Sequence, residues 1–314
     1  MNIFWKAPLA ALSILTVSTQ AGNATQSPRV VVSIAPIHSL VAGVMEGIGE
    51  PKLLVSGGAS PHSYSLKPSQ ARALSNARLV VRVSSQLENF LERAIKAVAN
   101  KAEVVMLSEI SGMTLYEPRE GGIWEEHKKH EEYGTDTHRH DEHDPHLWLD
   151  PQNAKLIVSA VSMRLQKVFP EHANAFTANT EKLNRKLDRL DQDLLAATKP
   201  LRGKPYIVFH DATRYFEERY KLNPVGAITI SPDRPTGARR LSEIRMRIKS
   251  QGVTCVFAEP QFQPKLVQTL ISGTGARAGI LDPIGAGLSS GPGLYFKLMR
   301  NLATSLAACL KNPS

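Results

Sequence analysis

Short, continuous apolar runs alternate with helix-like stretches along most of the chain. Arg29 to Ile34, Pro51 to Val55, Ala77 to Val83 and Glu103 to Leu107 mark the first half; Tyr206 to Phe209, Val225 to Thr229, Val253 to Ala258 and Ala278 to Leu281 mark the second. Runs such as Val30-Val31-Val32 and Leu79-Val80-Val81 lack polar alternation, the pattern of strands covered on both faces. Parallel strands linked by crossover helices are therefore expected, with Arg239 to Ser250 and Pro264 to Thr269 among the helices. The predicted fold is α/β, with two similar lobes built on parallel-type sheets.

Between the lobes, Phe176, Leu183, Leu187, Leu190 and Leu194 recur mostly at three- and four-residue spacings amid Lys182, Arg185, Asp188 and Asp191. Glu171 to Lys199 thus reads as one amphipathic helix bounded by Pro170 and Pro200. At about 1.5 Å per residue it would reach about 43 Å, long enough to join two lobes rigidly. Half of a coiled-coil dimer is the alternative reading. The expected organisation is a lobe over 25–170, a linking helix over 171–199 and a lobe over 200–314.

The extreme N-terminus differs. Lys6 precedes the apolar stretch Ala7 to Val17 and a small, polar tail ending at Ala24. Charge, apolar run and small residues in that order predict a cleavable export signal over residues 1–24, and the apolar core is short for a membrane span. A buried N-terminal helix is the alternative.

At 314 residues, with 42% hydrophobic and 21% charged residues, the chain has a globular composition. The formal charge of +9 raises the question of nucleic acid. No aromatic-interleaved basic stripe or C-x-x-C finger is present, and an exported chain would rarely meet nucleic acid, so that class is set aside. Cys255 and Cys309 make an even pair in an oxidising compartment and are expected to bond, two buried thiols being the alternative.

One segment breaks the strand–helix pattern. Glu117 to Asp144 carries His127, His130, His138, His140 and His143 among acidic residues and little that is apolar. It reads as a mobile loop, either simply solvated or able to capture metal transiently.

The other histidines sort by context. His62 lies in a glycine-containing loop beyond the strand ending near Val55, where ligands of open parallel sheets bind. His146 begins His146-Leu147-Trp148-Leu149-Asp150-Pro151, an apolar ledge followed by a helix start; His210 ends the strand Tyr206 to Phe209, and Asp282 ends Gly279-Ile280-Leu281. Three imidazoles with one carboxylate or water form the nitrogen-rich tetrahedral set that suits zinc. Asp211 could orient a ring or, with better odds, cap the next helix. His38, at a probable helix start, reads as structural, and His172 as exposed. No H-E-x-x-H or P-loop motif is found, and the H-x-x-H of His127 and His130 lacks apolar walls.

Taken together, Gly57 to Ser69, His146 to Pro151, Phe209-His210-Asp211-Ala212, Phe257-Ala258-Glu259-Pro260-Gln261 and Gly279 to Gly285 resemble the ZnuA-type periplasmic zinc-binding proteins that feed ABC importers. The resemblance spans the mature chain and includes the histidine-rich insert and the cysteine pair. It implies a rigid backbone helix and metal held in the interlobe cleft, with His62 and His146 from one side, His210 from the other, and Asp282 or water as the fourth donor. Related manganese receptors carry glutamate where His210 stands, so histidine here implies Zn2+ as the transported ligand. Some zinc members have an acidic residue just before the first histidine; this chain has Pro61, which leaves Asp282 or water for the fourth position.

The expectation is a periplasmic, monomeric, high-affinity zinc receptor that performs no chemical turnover and delivers its ion to an ABC transporter permease. A metal-binding adhesin or zinc-buffering protein of the same family is the alternative, and a secreted zinc enzyme the more distant one.

Overall fold

A computed structural model describes Met1, residues 29–119, Trp124, and residues 143–229, 236–262 and 265–311. The export signal over 1–24 lies outside the described residues save Met1, as do His127, His130, His138 and His140 of the insert. Among the described residues, no helix is long and apolar enough to cross a membrane.

The predicted strands form two four-stranded parallel sheets. In the first, β1 (Val30–Ile34), β2 (Lys52–Val55), β3 (Leu79–Arg82) and β4 (Glu103–Met106) lie in the order β2-β1-β3-β4, with Val30 opposite Leu79 and Leu79 opposite Glu103. In the second, β5 (Pro205–His210), β6 (Asn223–Thr229), β7 (Cys255–Ala258) and β8 (Arg277–Ile280) repeat that order as β6-β5-β7-β8. The unbroken apolar runs have the predicted consequence: every residue of β1 and β7 is buried, because helices cover both faces.

The crossovers are α1 (Ala35–Val44), α2 (Pro68–Ser75) and α3 (Asn89–Val98) in the first half. In the second they are α6 (Arg214–Tyr220), α7 (Ala238–Ser250) and α8 (Lys265–Ile271). Three longer helices complete the fold: α4 (Pro151–Val168), α5 (Ala173–Thr198) and α9 (Leu294–Leu310). Asp150 caps α4 by accepting from the Gln152 amide at 2.8 Å, and Pro151 supplies the fixed φ favoured in a first helical turn.

The predicted linking helix is α5, shorter than read from sequence because Pro170–His172 and Lys199–Leu201 tighten into 3-10 turns at its ends. Its 26 residues span about 39 Å, and its stripe Phe176, Leu183, Leu187, Leu190 and Leu194 is buried. The helix is not a free strut. It packs against α1, α4 and α9, and one continuous core runs from Val32 and Leu79 through Leu187 to Tyr206 and Leu302. Close approach is enforced at Gly43, where an added Cβ would stand 2.9 Å from a Leu183 methyl.

Polar contacts reinforce that shared core. The Trp148 indole donates to the Pro283 carbonyl at 2.9 Å, and the Tyr295 hydroxyl donates to the Trp148 carbonyl at 2.8 Å. Arg219 of α6 pairs with Asp191 of α5, which also accepts from the Tyr220 hydroxyl at 3.0 Å. Cys255 and Cys309 form a disulfide that ties the start of β7 to the end of α9.

Candidate metal centre

In both sheets the strand order reverses between the first strand of the half and its third, and a crevice opens outside the carboxyl ends there. His210 is the last residue of β5, and Glu259 follows β7 directly. His62 sits in the loop after β2, its amide donating to the Ser60 hydroxyl at 3.3 Å. His146 precedes the 3-10 turn Leu147–Leu149, all three of whose residues are buried. That apolar ledge immobilises the backbone beside the ring.

The donor atoms of His62, His146 and His210 lie within 4.8 Å of one another. Nε2 of His146 and Nε2 of His210 stand 3.4 Å apart. Two nitrogens each about 2.05 Å from one tetrahedral zinc would be separated by about 3.35 Å, so this pair already spans a tetrahedron's edge. A cavity of about 20 Å³ lies among the three rings, walled by Trp148, Phe262, Pro61, Pro283 and Ile284. It has room for one small ion or water molecule, and its apolar walls strengthen any electrostatic contact within it.

Two buried carboxylates orient the rings. Asp144 accepts from His146 Nδ1 at 2.7 Å and from the His146 amide at 2.9 Å. Glu259 holds His210 Nδ1 in a short contact and its amide at 3.3 Å. A proton kept at Nδ1 leaves the Nε2 lone pair for a metal, the arrangement that fixes tautomer and raises ligand basicity.

Burial dominates the titration of His62: with the neighbouring imidazoles of His146 and His210 it pushes the pKa down to about 2. For His210 burial works the same way, but the charge and hydrogen bond of Glu259 outweigh it and raise the pKa above the usual histidine value. The site thus combines a ring that stays neutral with one that holds a proton more readily.

The remaining candidates fall elsewhere. Asp282 is not in the histidine group: its carboxylate accepts from the amides of Gly285 at 2.8 Å and Ile284 at 3.3 Å and builds the turn after β8. Asp211 neither orients a ring nor caps α6, whose N-cap is Thr213; it pairs with Arg119 at 3.3 Å. Burial, with Asp144 and Glu217 adding to it against the pull of Arg119, pushes Asp211 up to about 7. His38 is structural as expected, its ring 2.9 Å from the Pro51 carbonyl. His172 is half-buried against Phe176 rather than exposed, and His143, also half-buried, stands outside the trio.

Sequence reasoning missed the two orienting acids. Asp144 falls at the end of the acidic insert, yet its place two residues before His146 allows it to reach back to that ring. Glu259 stood in a quoted motif without a role, although it directly follows a strand adjacent to that of His210.

The family described as the zinc-uptake complex component A, periplasmic, ZnuA, matches residues 30–309. The chain belongs to the ZnuA family. It is 44% identical over 304 residues to the high-affinity zinc uptake system protein ZnuA of Brucella abortus (strain 2308), covering 90% of this chain and 91% of that one. The Yersinia pestis protein of the same name is 34% identical over 293 residues, covering 91% and 92%. A crystal structure of ZnuA superposes with a TM-score of 0.76 at 25% identity, covering 90% of this chain and 98% of that one. The two sheets and long helix are thus the family's fold, and the trio lies within the matched region.

Proposed function

We propose that this ZnuA-family chain is a periplasmic receptor that binds Zn2+ in the interlobe cleft with high affinity and hands it to the membrane permease of an ABC-type importer. The observation that carries the reading is the 3.4 Å separation of the His146 and His210 Nε2 atoms, each ring held at Nδ1 by a buried carboxylate, with His62 completing the trio. Nitrogen donors in a tight, tetrahedral setting favour zinc over the oxygen-preferring manganese and calcium. Asp282 stands outside the group whose donor atoms lie within 4.8 Å of one another, so in this reading the fourth position goes to water.

The ion is cargo, and the chain performs no turnover. Export by a cleaved signal over residues 1–24 and a monomeric state belong to the same reading. His127, His130, His138, His140 and His143 of the insert add weaker, transient binding capacity. Replacing His210 with alanine tests the site: competition titration with a zinc chelator should show a loss of affinity of about a hundredfold or more. Unchanged affinity would remove the basis of the assignment.

A further inference from the structure

We infer that Arg119 is a positioning residue for the metal site, holding the turn that aims His210 from the opposite half of the chain. The inference rests on His210 being a zinc ligand, as proposed above.

His210 ends β5, and residues 211–213 turn directly into α6. Within this turn the Ala212 amide donates to the His210 carbonyl at 2.8 Å, and the Thr213 hydroxyl donates to Glu217 at 2.8 Å. The Tyr206 hydroxyl donates to the same Glu217 oxygen at 3.0 Å. All of these contacts are internal to β5 and α6. Arg119 comes from outside: it lies before the histidine-rich insert in the chain, yet its guanidinium reaches Glu217 Oε2 at 2.6 Å and Asp211 Oδ1 at 3.3 Å. The Trp124 ring covers the guanidinium, 4.4 Å away.

The arrangement is buried, with side-chain exposures of 12% for Arg119 and 2% for Glu217. The guanidinium hydrogen-bonds Glu217 and stands within ion-pair distance of Asp211, whose Oδ1 and the facing Arg119 Nη1 have no hydrogen-bond partner, so Asp211 is held by charge and not by a directed bond. Asp211 is covalently adjacent to His210 and Glu217 also accepts from Thr213, so anchoring Glu217 and attracting Asp211 biases the course of the backbone leaving the imidazole. A displacement of His210 would open the 3.4 Å spacing to His146. Arg119 touches no metal donor itself; it acts through Asp211 and Glu217.

The test uses the mature chain with Arg119→Ala, Arg119→Lys and His210→Ala. Zinc affinity is read by chelator competition and coordination by the visible bands of the cobalt-substituted protein. Arg119→Ala should weaken zinc by about tenfold or more and alter the cobalt bands, the size expected for loss of an outer support. Arg119→Lys should recover part of the loss. A variant that melts earlier but keeps native affinity and native cobalt bands would reduce Arg119 to a structural role and overturn the inference.

Should Arg119→Ala fail to fold, the triple variant Arg119→Ala, Asp211→Asn, Glu217→Gln removes the buried charges together. The loss should persist there, and native affinity in that folded variant would also overturn the inference. His210→Ala separates the two readings: if it binds zinc normally, the ligand assignment fails first. If it loses zinc while Arg119→Ala does not, only the role of Arg119 fails.

Discussion

Glu259 grips the Nδ1 edge of His210, while the opposite edge of that ring faces His146 across 3.4 Å. With protons fixed at both Nδ1 positions, two neutral rings turn their Nε2 lone pairs toward one another, a contact that either a proton or a metal cation between them relieves. Glu259→Gln and Asp144→Asn should each weaken zinc by about ten- to a hundredfold while leaving the circular dichroism spectrum unchanged. Native affinity in both variants would show that the carboxylates do not orient the rings.

The central strands are legible because a strand covered on both faces is almost continuously apolar, and runs such as Val30 to Ile34 have no competing helical period; the edge strands β2, β4 and β8 are only partly covered. His62, His146 and His210 were legible because strand exits are where open sheets place ligands. Other features depend on packing that has no local signature. Asp282 stands after β8 much as His210 ends β5, yet nearby amides of its own turn claim its carboxylate. The lobes were read as two units on a rod, but Leu302 of α9 joins Leu187 of α5 and Val32 of β1 in one core.

Zinc binding should be proton-coupled, and His210 sets the window. Its pKa is raised, so in the metal-free protein the ring still holds a proton at pH values where an ordinary histidine has begun to lose it. His62, at about 2, stays neutral throughout. As pH falls from above the ordinary histidine value to below it, the apparent affinity should decline, approaching tenfold per unit once His210 is mostly protonated, and proton release per zinc should rise. Calorimetry in buffers of different ionisation enthalpy measures that release. Affinity independent of pH over this range would exclude His210 as a ligand.

The boundaries of an insert deletion matter. Removing residues 120–142 spares Arg119, His143 and Asp144, so the tight cleft equivalent should persist while weaker equivalents decline. A deletion extended through Asp144 should also reduce cleft affinity, by about ten- to a hundredfold, because His146 Nδ1 then loses its acceptor. Zinc stoichiometry and competition titration on the two deletions separate these effects. Fixed stoichiometry in the shorter deletion would remove the scavenging role of the insert.

Stability and metal binding should separate at the disulfide. Cys255 and Cys309, 54 residues apart in sequence, close a loop whose release should cost about 4 kcal/mol in the chain-entropy view. Cys255 opens β7, whereas the acid that orients His210 lies beyond the other end of that strand, after Ala258. The Cys255→Ser, Cys309→Ser variant should therefore unfold at lower denaturant without zinc, yet bind zinc with near-native affinity. At a free zinc concentration about a hundred times Kd, the ion should add about 2.7 kcal/mol to wild type and variant alike. A smaller zinc-induced gain in the variant would mean that the bond also holds the C-terminal end of β7 in register with the site.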